Sequence, residues 1–177
     1  TLQLQPTRQS KLFESLYSMM QRFCNKFDTI PLQCILLMGE VGIGKSSLAT
    51  ATANELMNKG KIVLYFTAFE INNIFLKHHI ANANIDDLTF ESIFDCDFLI
   101  IDDLGTEPLY NNISLQYFFS IVDSRILNKK KTMICTNLSI DKFVQRYGER
   151  AFSRLTDKRY ALPLDYIVGD DLRKIKK

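Results

Sequence analysis

Gly39-Glu40-Val41-Gly42-Ile43-Gly44-Lys45-Ser46 is a complete G-x-x-x-x-G-K-[ST] phosphate loop, and its flanks give it a place in a fold. An apolar run, Cys34 to Met38, precedes it, and a helix-period stretch follows it. A strand therefore delivers the loop and a helix leaves it. The glycines let backbone amides converge on phosphate oxygens, and the helix points the positive end of its dipole at the same anion. Lys45 is placed to reach the β- and γ-phosphates and the Ser46 hydroxyl to hold Mg²⁺, and Ser47 is counted with the loop as nucleotide-binding. The segment predicts binding of a nucleoside triphosphate.

Working outward, the elements alternate. Gln9 to Phe27 carries Leu12, Leu16, Met19, Met20, Phe23 and Phe27 at the spacing of an amphipathic helix. Beyond the loop, Leu48, Ala49, Thr52, Ala53 and Leu56 form a stripe for packing on a sheet, and Gly60 is placed to end that helix. Ile62 to Phe66 reads as a buried strand, Glu70 to Ile80 and Leu88 to Phe94 as helices, and Asn82 to Asn84 as a loop. Phe98 to Ile101 is a third strand and Asn112 to Leu127 a strongly apolar helix. Thr132 to Cys135 is a fourth strand. Ser139 caps a helix to Tyr147, Glu149 to Thr156 is another, and Tyr160 to Leu164 is a fifth strand. This alternation predicts an α/β fold: a parallel five-stranded sheet with helices on both faces. We divide the chain into an N-terminal helix and linker, 1–31, and a nucleotide-binding domain, 32–177.

At 177 residues, with 46% hydrophobic and 24% charged side chains, the composition is that of an ordinary globular domain. A chain of this length buries roughly 70% of its unfolded surface in one core. A net charge of +2 says little about partners, and the run Lys129-Lys130-Lys131 reads as a solvated connection. Cys24, Cys34, Cys96 and Cys135 show no metal-like spacing and are expected as buried free thiols, which suits a reducing cytoplasm. No apolar run approaches the ~18 residues of a membrane span, so no membrane partner is expected.

In a parallel sheet, ligands gather at the carboxyl ends of the strands. Asp102 and Asp103 end the third strand and Asn137 follows the fourth. Four apolar residues followed by Asp is the Walker B pattern. Asp102 is then the Mg²⁺ ligand, directly or through water, and Asp103 the base for the attacking water. Asp103 is one methylene shorter than the Glu found there in many such enzymes, which predicts slow hydrolysis. Asn137 is suited to orienting that water or contacting the γ-phosphate.

The phosphate loop, Leu99-Ile-Ile-Asp-Asp-Leu-Gly105-Thr-Glu107, Cys135-Thr-Asn-Leu-Ser139 and Tyr147-Gly-Glu-Arg150-Ala-Phe-Ser-Arg154-Leu form a combination. It resembles the ATPase domain of the DnaC/DnaI bacterial helicase loaders, AAA+ proteins related to the initiator DnaA and to IstB-type transposition ATPases. The resemblance runs from about Leu32 to Lys177. It implies that Asn137 is the sensor 1 residue and that the arginine finger is Arg150 or, second, Arg154, acting on a neighbouring subunit's ATP. Arg173, in Gly169-Asp-Asp-Leu-Arg173, becomes a sensor 2 candidate that touches nucleotide. The resemblance further implies ATP and Mg²⁺ as cofactors, head-to-tail self-association, and single-stranded DNA and the replicative DNA helicase as partners.

The stretch Phe69 to Phe94 corresponds to the insertion that contacts single-stranded DNA in that family, with Lys77, His78 and His79 as candidates there. Both Phe69 and Phe75 are expected to pack in the core. From the residues, one of Arg150 and Arg154 is expected to pair with Glu149 or Asp157, and Gly105 to Pro108 to form a loop at a subunit edge. One helix before the first strand is less than the helicase-gripping region loaders carry, and the residues after Pro163 leave space for a minimal lid at most. The expected function is an ATP-hydrolysing helicase loader. An IstB-like transposition accessory ATPase and a small-molecule kinase are the alternatives.

Overall fold

A computed structural model describes residues 8–80 and 88–167. In chain order the elements are α1 (Arg8–Asn25), β1 (Cys34–Gly39), α2 (Lys45–Asn58), β2 (Val63–Thr67), α3 (Ala68–Ile80) and α4 (Leu88–Asp95). There follow β3 (Phe98–Leu104), α5 (Ser114–Leu127), β4 (Lys131–Thr136), α6 (Ile140–Tyr147), α7 (Glu149–Thr156) and β5 (Ala161–Ile167). The five strands pair in the order β2-β3-β4-β1-β5, and every pairing is parallel. The expected α/β sheet is the observed one.

Strand alternation explains why both faces are covered. Cys34, Leu36 and Met38 of β1, Leu99 and Ile101 of β3 and Ile134 of β4 face a core built with α3 to α7. Their neighbours Ile35, Leu37, Phe98, Ile100, Met133 and Cys135 face a second core built with α1 and α2. Uninterrupted apolar runs are what a doubly covered parallel sheet requires. The α1 stripe docks Phe23 and Phe27 against Phe98, with ring centroids 5.6 and 6.0 Å away.

All four cysteines are buried and free. Burial pushes the Cys24 thiol up to about 11 and the Cys34 thiol up to about 12, so both are inert hydrophobes at neutral pH.

Two expectations are corrected. Lys131 is not solvated. It is 9% exposed and donates to the carbonyls of Ile30 and Leu32 at 3.0 Å, tying the linker before β1 to β4. Phe69 is 53% exposed, because the buried face of α3 is set by Ala68, Ile71, Asn72 and Phe75. Phe75 is buried as expected, stacked on Tyr117 at 5.5 Å.

Candidate functional site

The carboxyl ends of β1, β3 and β4 open into one cleft of about 570 Å³. Its lining comes from the phosphate loop and first turn of α2 (Val41, Gly42, Gly44, Lys45, Ser46, Ser47), from the segment after β3 (Asp103, Thr106) and from Asn137. The volume lies within the ~300–1,000 Å³ usual for sites that take small ligands. The loop keeps its shape through Gly42 and Gly44, at φ 84° and 94°, a region where a side chain is strained. Ile43 turns inward and is buried, whereas Val41 is 53% exposed at the rim. Gly44 also N-caps α2 without any side-chain hydrogen bond, so no side chain competes for the helix-start amides.

Lys45 is only 7% exposed, yet its ammonium is well solvated by protein. Its Nζ donates to the Gly39 carbonyl at 2.8 Å, to the Glu40 carbonyl at 2.7 Å and to Oδ1 of Asn137. The last bond spans β1 and β4, joining the two strand ends that flank the cleft. The lysine is thereby held in the cleft wall with its charge aimed at the loop.

Asp102 and Asp103 are adjacent in sequence and differently placed. Asp102 is 4% exposed, with Oδ2 accepting from the Tyr65 hydroxyl at 2.6 Å and Oδ1 from the Asp103 amide at 3.0 Å. It stands behind the cleft wall. Asp103 is exposed and lines the cleft, because β3 slips register against β4 between Ile101 and Leu104 and Asp103 takes φ 54°. Regular alternation would turn consecutive side chains to opposite faces; the irregularity brings the second one round to the ligand side. Burial raises the Asp103 pKa, the neighbouring Asp102 charge raises it further, and Lys45 opposes both. A carboxylate shifted in that direction is a better proton acceptor near neutral pH.

Three features escaped the sequence reading. Tyr65 holds Asp102, and the clue was a hydroxyl in an otherwise apolar strand. Thr106 reaches the cleft, its Oγ1 donating to the Asp103 carbonyl at 2.9 Å. Glu107, expected in an edge loop, is 5% exposed and accepts from the Gly105 amide at 2.9 Å and from the Tyr147 hydroxyl.

The expected arginines lie elsewhere. Arg150 and Arg154 belong to α7, which packs on α5, and neither lines the cleft. The Arg150 guanidinium sits 4.2 Å from the Phe119 ring centroid. Arg154 pairs with Asp123 at 3.2 Å rather than with Glu149 or Asp157; α5 faces α7 and supplies the nearer carboxylate. Arg173 lies outside the described residues; of the residues after Pro163, 164–167 complete β5. In the stretch between β2 and β3, His78 stacks on Phe90 with centroids 3.7 Å apart, and Lys77 and His79 are exposed.

The residues present suit a magnesium nucleotide. No cluster of His, Cys, Asp or Glu among the described residues forms a metal cage. Mg²⁺ does not need one, since it is commonly held by one or two protein ligands together with substrate phosphates and waters. Of the pair expected to hold it, Ser46 lines the cleft, and Asp102 stands directly behind its wall. No helix among the described residues is long and apolar enough to cross a membrane.

Comparison with known proteins agrees with this geometry. The model of the family described as IstB-like ATP binding protein matches residues 18–159. The chain is 28% identical over 137 residues to the replicative helicase loader DnaC of Escherichia coli K12, covering 76% of this chain and 54% of that one. It thus spans about half the length of this relative. Among solved structures, a crystal structure of the DnaC helicase loader superposes with a TM-score of 0.71 at 22% identity, covering 92% of this chain and 94% of that one. The replication initiator DnaA bound to AMPPCP and single-stranded DNA gives 0.62 at 18% identity, over 90% and 46%. At those identities the likeness is one of fold.

Proposed function

Because the chain belongs to the IstB-like ATP binding protein family, we propose that it binds ATP with Mg²⁺ in this cleft and hydrolyses it. The observation that carries the reading is convergence. The lysine of the phosphate loop, a strand-end carboxylate and the strand-end Asn137 meet in one cleft, with Lys45 bonded directly to Asn137. Residues 45, 103 and 137 are far apart in the chain and line one cleft.

The roles follow from chemistry. Loop amides and Lys45 orient the β- and γ-phosphates and offset their charge. Ser46 and Asp102 would hold the ion, which would supply further neutralisation of the phosphate charge. Asp103 accepts a proton from the attacking water at its exposed carboxylate, and Asn137 orients that water. Arg150, or else Arg154, completes the site of a neighbouring subunit, which is consistent with both lying away from their own cleft. Arg173 is the proposed nucleotide contact from the C-terminal segment.

On this reading ATP favours head-to-tail assembly on single-stranded DNA, and the chain serves as the ATPase part of a replicative helicase loader in the cytoplasm. The likeness to DnaC supports the helicase as partner. The family match equally accommodates a transposase partner.

Turnover of ATP with and without single-stranded DNA, beside Lys45→Ala and Arg150→Ala, tests the core of the proposal. DNA-stimulated turnover that both variants lose is expected. Turnover indifferent to DNA and to Arg150, with phosphate passed to a small acceptor, would replace it with the kinase reading. Co-sedimentation with purified hexameric helicase, against a transposase control, decides the partner.

A further inference from the structure

The segment that carries Asp103 and Thr106 into the cleft is tied at its far end to the helix pair α6–α7. Glu107 makes the tie. Its Oε2 accepts from the Gly105 amide at 2.9 Å, and its Oε1 accepts from the Tyr147 hydroxyl. Arg146 bonds the Glu107 carbonyl and lies 3.5 Å from its carboxylate. The glutamate is 5% exposed, so these bonds work in a medium where they are strong and where breaking one leaves a buried charge short of a partner.

The other attachments of this segment point the same way. The Thr136 hydroxyl donates to the Leu104 carbonyl at 2.6 Å. Gly105, at φ 112°, lies so close to Leu138 that an added Cβ would come within 2.8 Å of it. The segment after β3 is thus wedged against the turn that carries Asn137. On the other side, Tyr147 is followed by Gly148, which ends α6 and starts α7. Arg150 is three residues beyond Tyr147.

We propose that Glu107 is a positioning residue that joins the cleft-lining segment 103–107 to the α6–α7 corner, so that nucleotide in the cleft fixes the placement of the helix bearing Arg150. A site that senses its own nucleotide would then set the arginine it offers to a neighbour. The inference rests on the nucleotide reading above, and its test separates the two.

Amide hydrogen exchange is measured on wild type, Glu107→Gln and Tyr147→Phe, with and without a non-hydrolysable ATP analogue plus Mg²⁺, at a concentration where the chain is monomeric. Gln keeps the size of Glu but can accept from only one of the two donors while turning an amide toward the other. In wild type the analogue should slow exchange at residues 39–46 and, by at least ~3-fold, at residues 149–156. Glu107→Gln should keep the first effect and lose the second, with Tyr147→Phe between the two. A melting temperature lowered in Glu107→Gln while residues 149–156 still respond would mean a merely structural role, and the proposal would be wrong. It is equally overturned if residues 149–156 fail to respond in wild type while residues 39–46 do. No response at 39–46 in wild type would instead remove the nucleotide reading itself.

Discussion

The Tyr65 hydroxyl donates to Oδ2 of Asp102 at 2.6 Å across the β2–β3 ladder. Burial and the bond to Asp102 raise the tyrosine pKa above its usual range, so the group stays a donor at any physiological pH. It occupies one oxygen of the buried carboxylate and fixes how the other side is presented. Tyr65→Phe removes the donor and little volume. We expect a stability loss of ~1–2 kcal/mol and a several-fold rise in the Mg²⁺ concentration that half-saturates turnover. Nucleotide binding without metal should be unchanged. A Mg²⁺ titration identical to wild type would remove Tyr65 from the metal site.

Lys45→Ala should weaken nucleotide binding by ~100-fold, about 2.7 kcal/mol of a charge-assisted contact. Because Lys45 Nζ also satisfies the Gly39 and Glu40 carbonyls and Asn137, the variant should lose order in the loop as well. Titration with a fluorescent ATP analogue reads the first effect. Retained affinity would mean that the cleft does not hold phosphate.

Asp103 has a raised pKa, owing first to burial and then to Asp102. A carboxyl group shifted upward stabilises the fold only below its unfolded pKa, and that contribution disappears as pH rises through the folded value. At neutral pH the ionised group is therefore a small liability. Asp103→Asn should leave the melting temperature equal or higher by no more than ~2 °C at pH 7, and the difference should vanish in acid. The same variant should abolish turnover. In wild type the acid limb of kcat/KM should lie above the ordinary aspartate pKa of about 4. A fall in melting temperature at pH 7 would contradict the assigned direction.

The sheet was legible because each strand is an apolar run ended by a polar signal, and buried parallel strands leave little else to read. The phosphate loop was legible because its chemistry is local: glycines, a lysine and a serine in eight consecutive positions. The contacts of Tyr65 and Glu107 are not local. Tyr65 meets Asp102 only because β2 lies in register beside β3, with Thr67 opposite Asp102. Glu107 meets Tyr147 across 40 residues of chain, in a bond that no periodicity announces. Asp103 was identified by position, yet the slip of register that turns it into the cleft depends on β4. Lys131 and Phe69 were misread for one reason. A charge run and a ring are assigned by residue type, whereas burial is decided by the element: Lys131 opens the buried strand β4, and Phe69 lies off the buried face of α3.

Arg125 is fully buried, and the hydrogen bonds of its guanidinium go to carbonyls of Ile93, Phe94, Cys96 and Lys131, to the Thr132 hydroxyl and to the Cys96 sulfur. It caps the end of α4 and ties that end to the start of β4. Arg125→Met should cost at least ~3 kcal/mol, since several buried acceptors lose their donor together. Arg125→Lys should recover only part, because an ammonium cannot span the same fork. Urea denaturation midpoints would show this. An Arg125→Met midpoint within error of wild type would mean that water replaces the guanidinium without loss.

Arg150 rests over the Phe119 ring with its charge otherwise exposed, a contact worth only ~0.5–1 kcal/mol at a surface. An arginine held so weakly is cheap to redirect into a neighbour's site. Arg154, paired with Asp123, gives up a surface ion pair of comparable size if it moves. If Arg150 acts in trans, Arg150→Ala should leave the monomer's nucleotide affinity within ~2-fold and its stability within ~1 kcal/mol of wild type. Turnover should meanwhile cease to rise with protein concentration, at a rate loss of ~10³ or more. Mixing Arg150→Ala with Lys45→Ala should restore part of the rate, since each supplies what the other lacks at a shared interface. Weaker nucleotide binding by monomeric Arg150→Ala would place the residue at its own cleft. A flat concentration dependence in Arg154→Ala alone would transfer the role to that arginine.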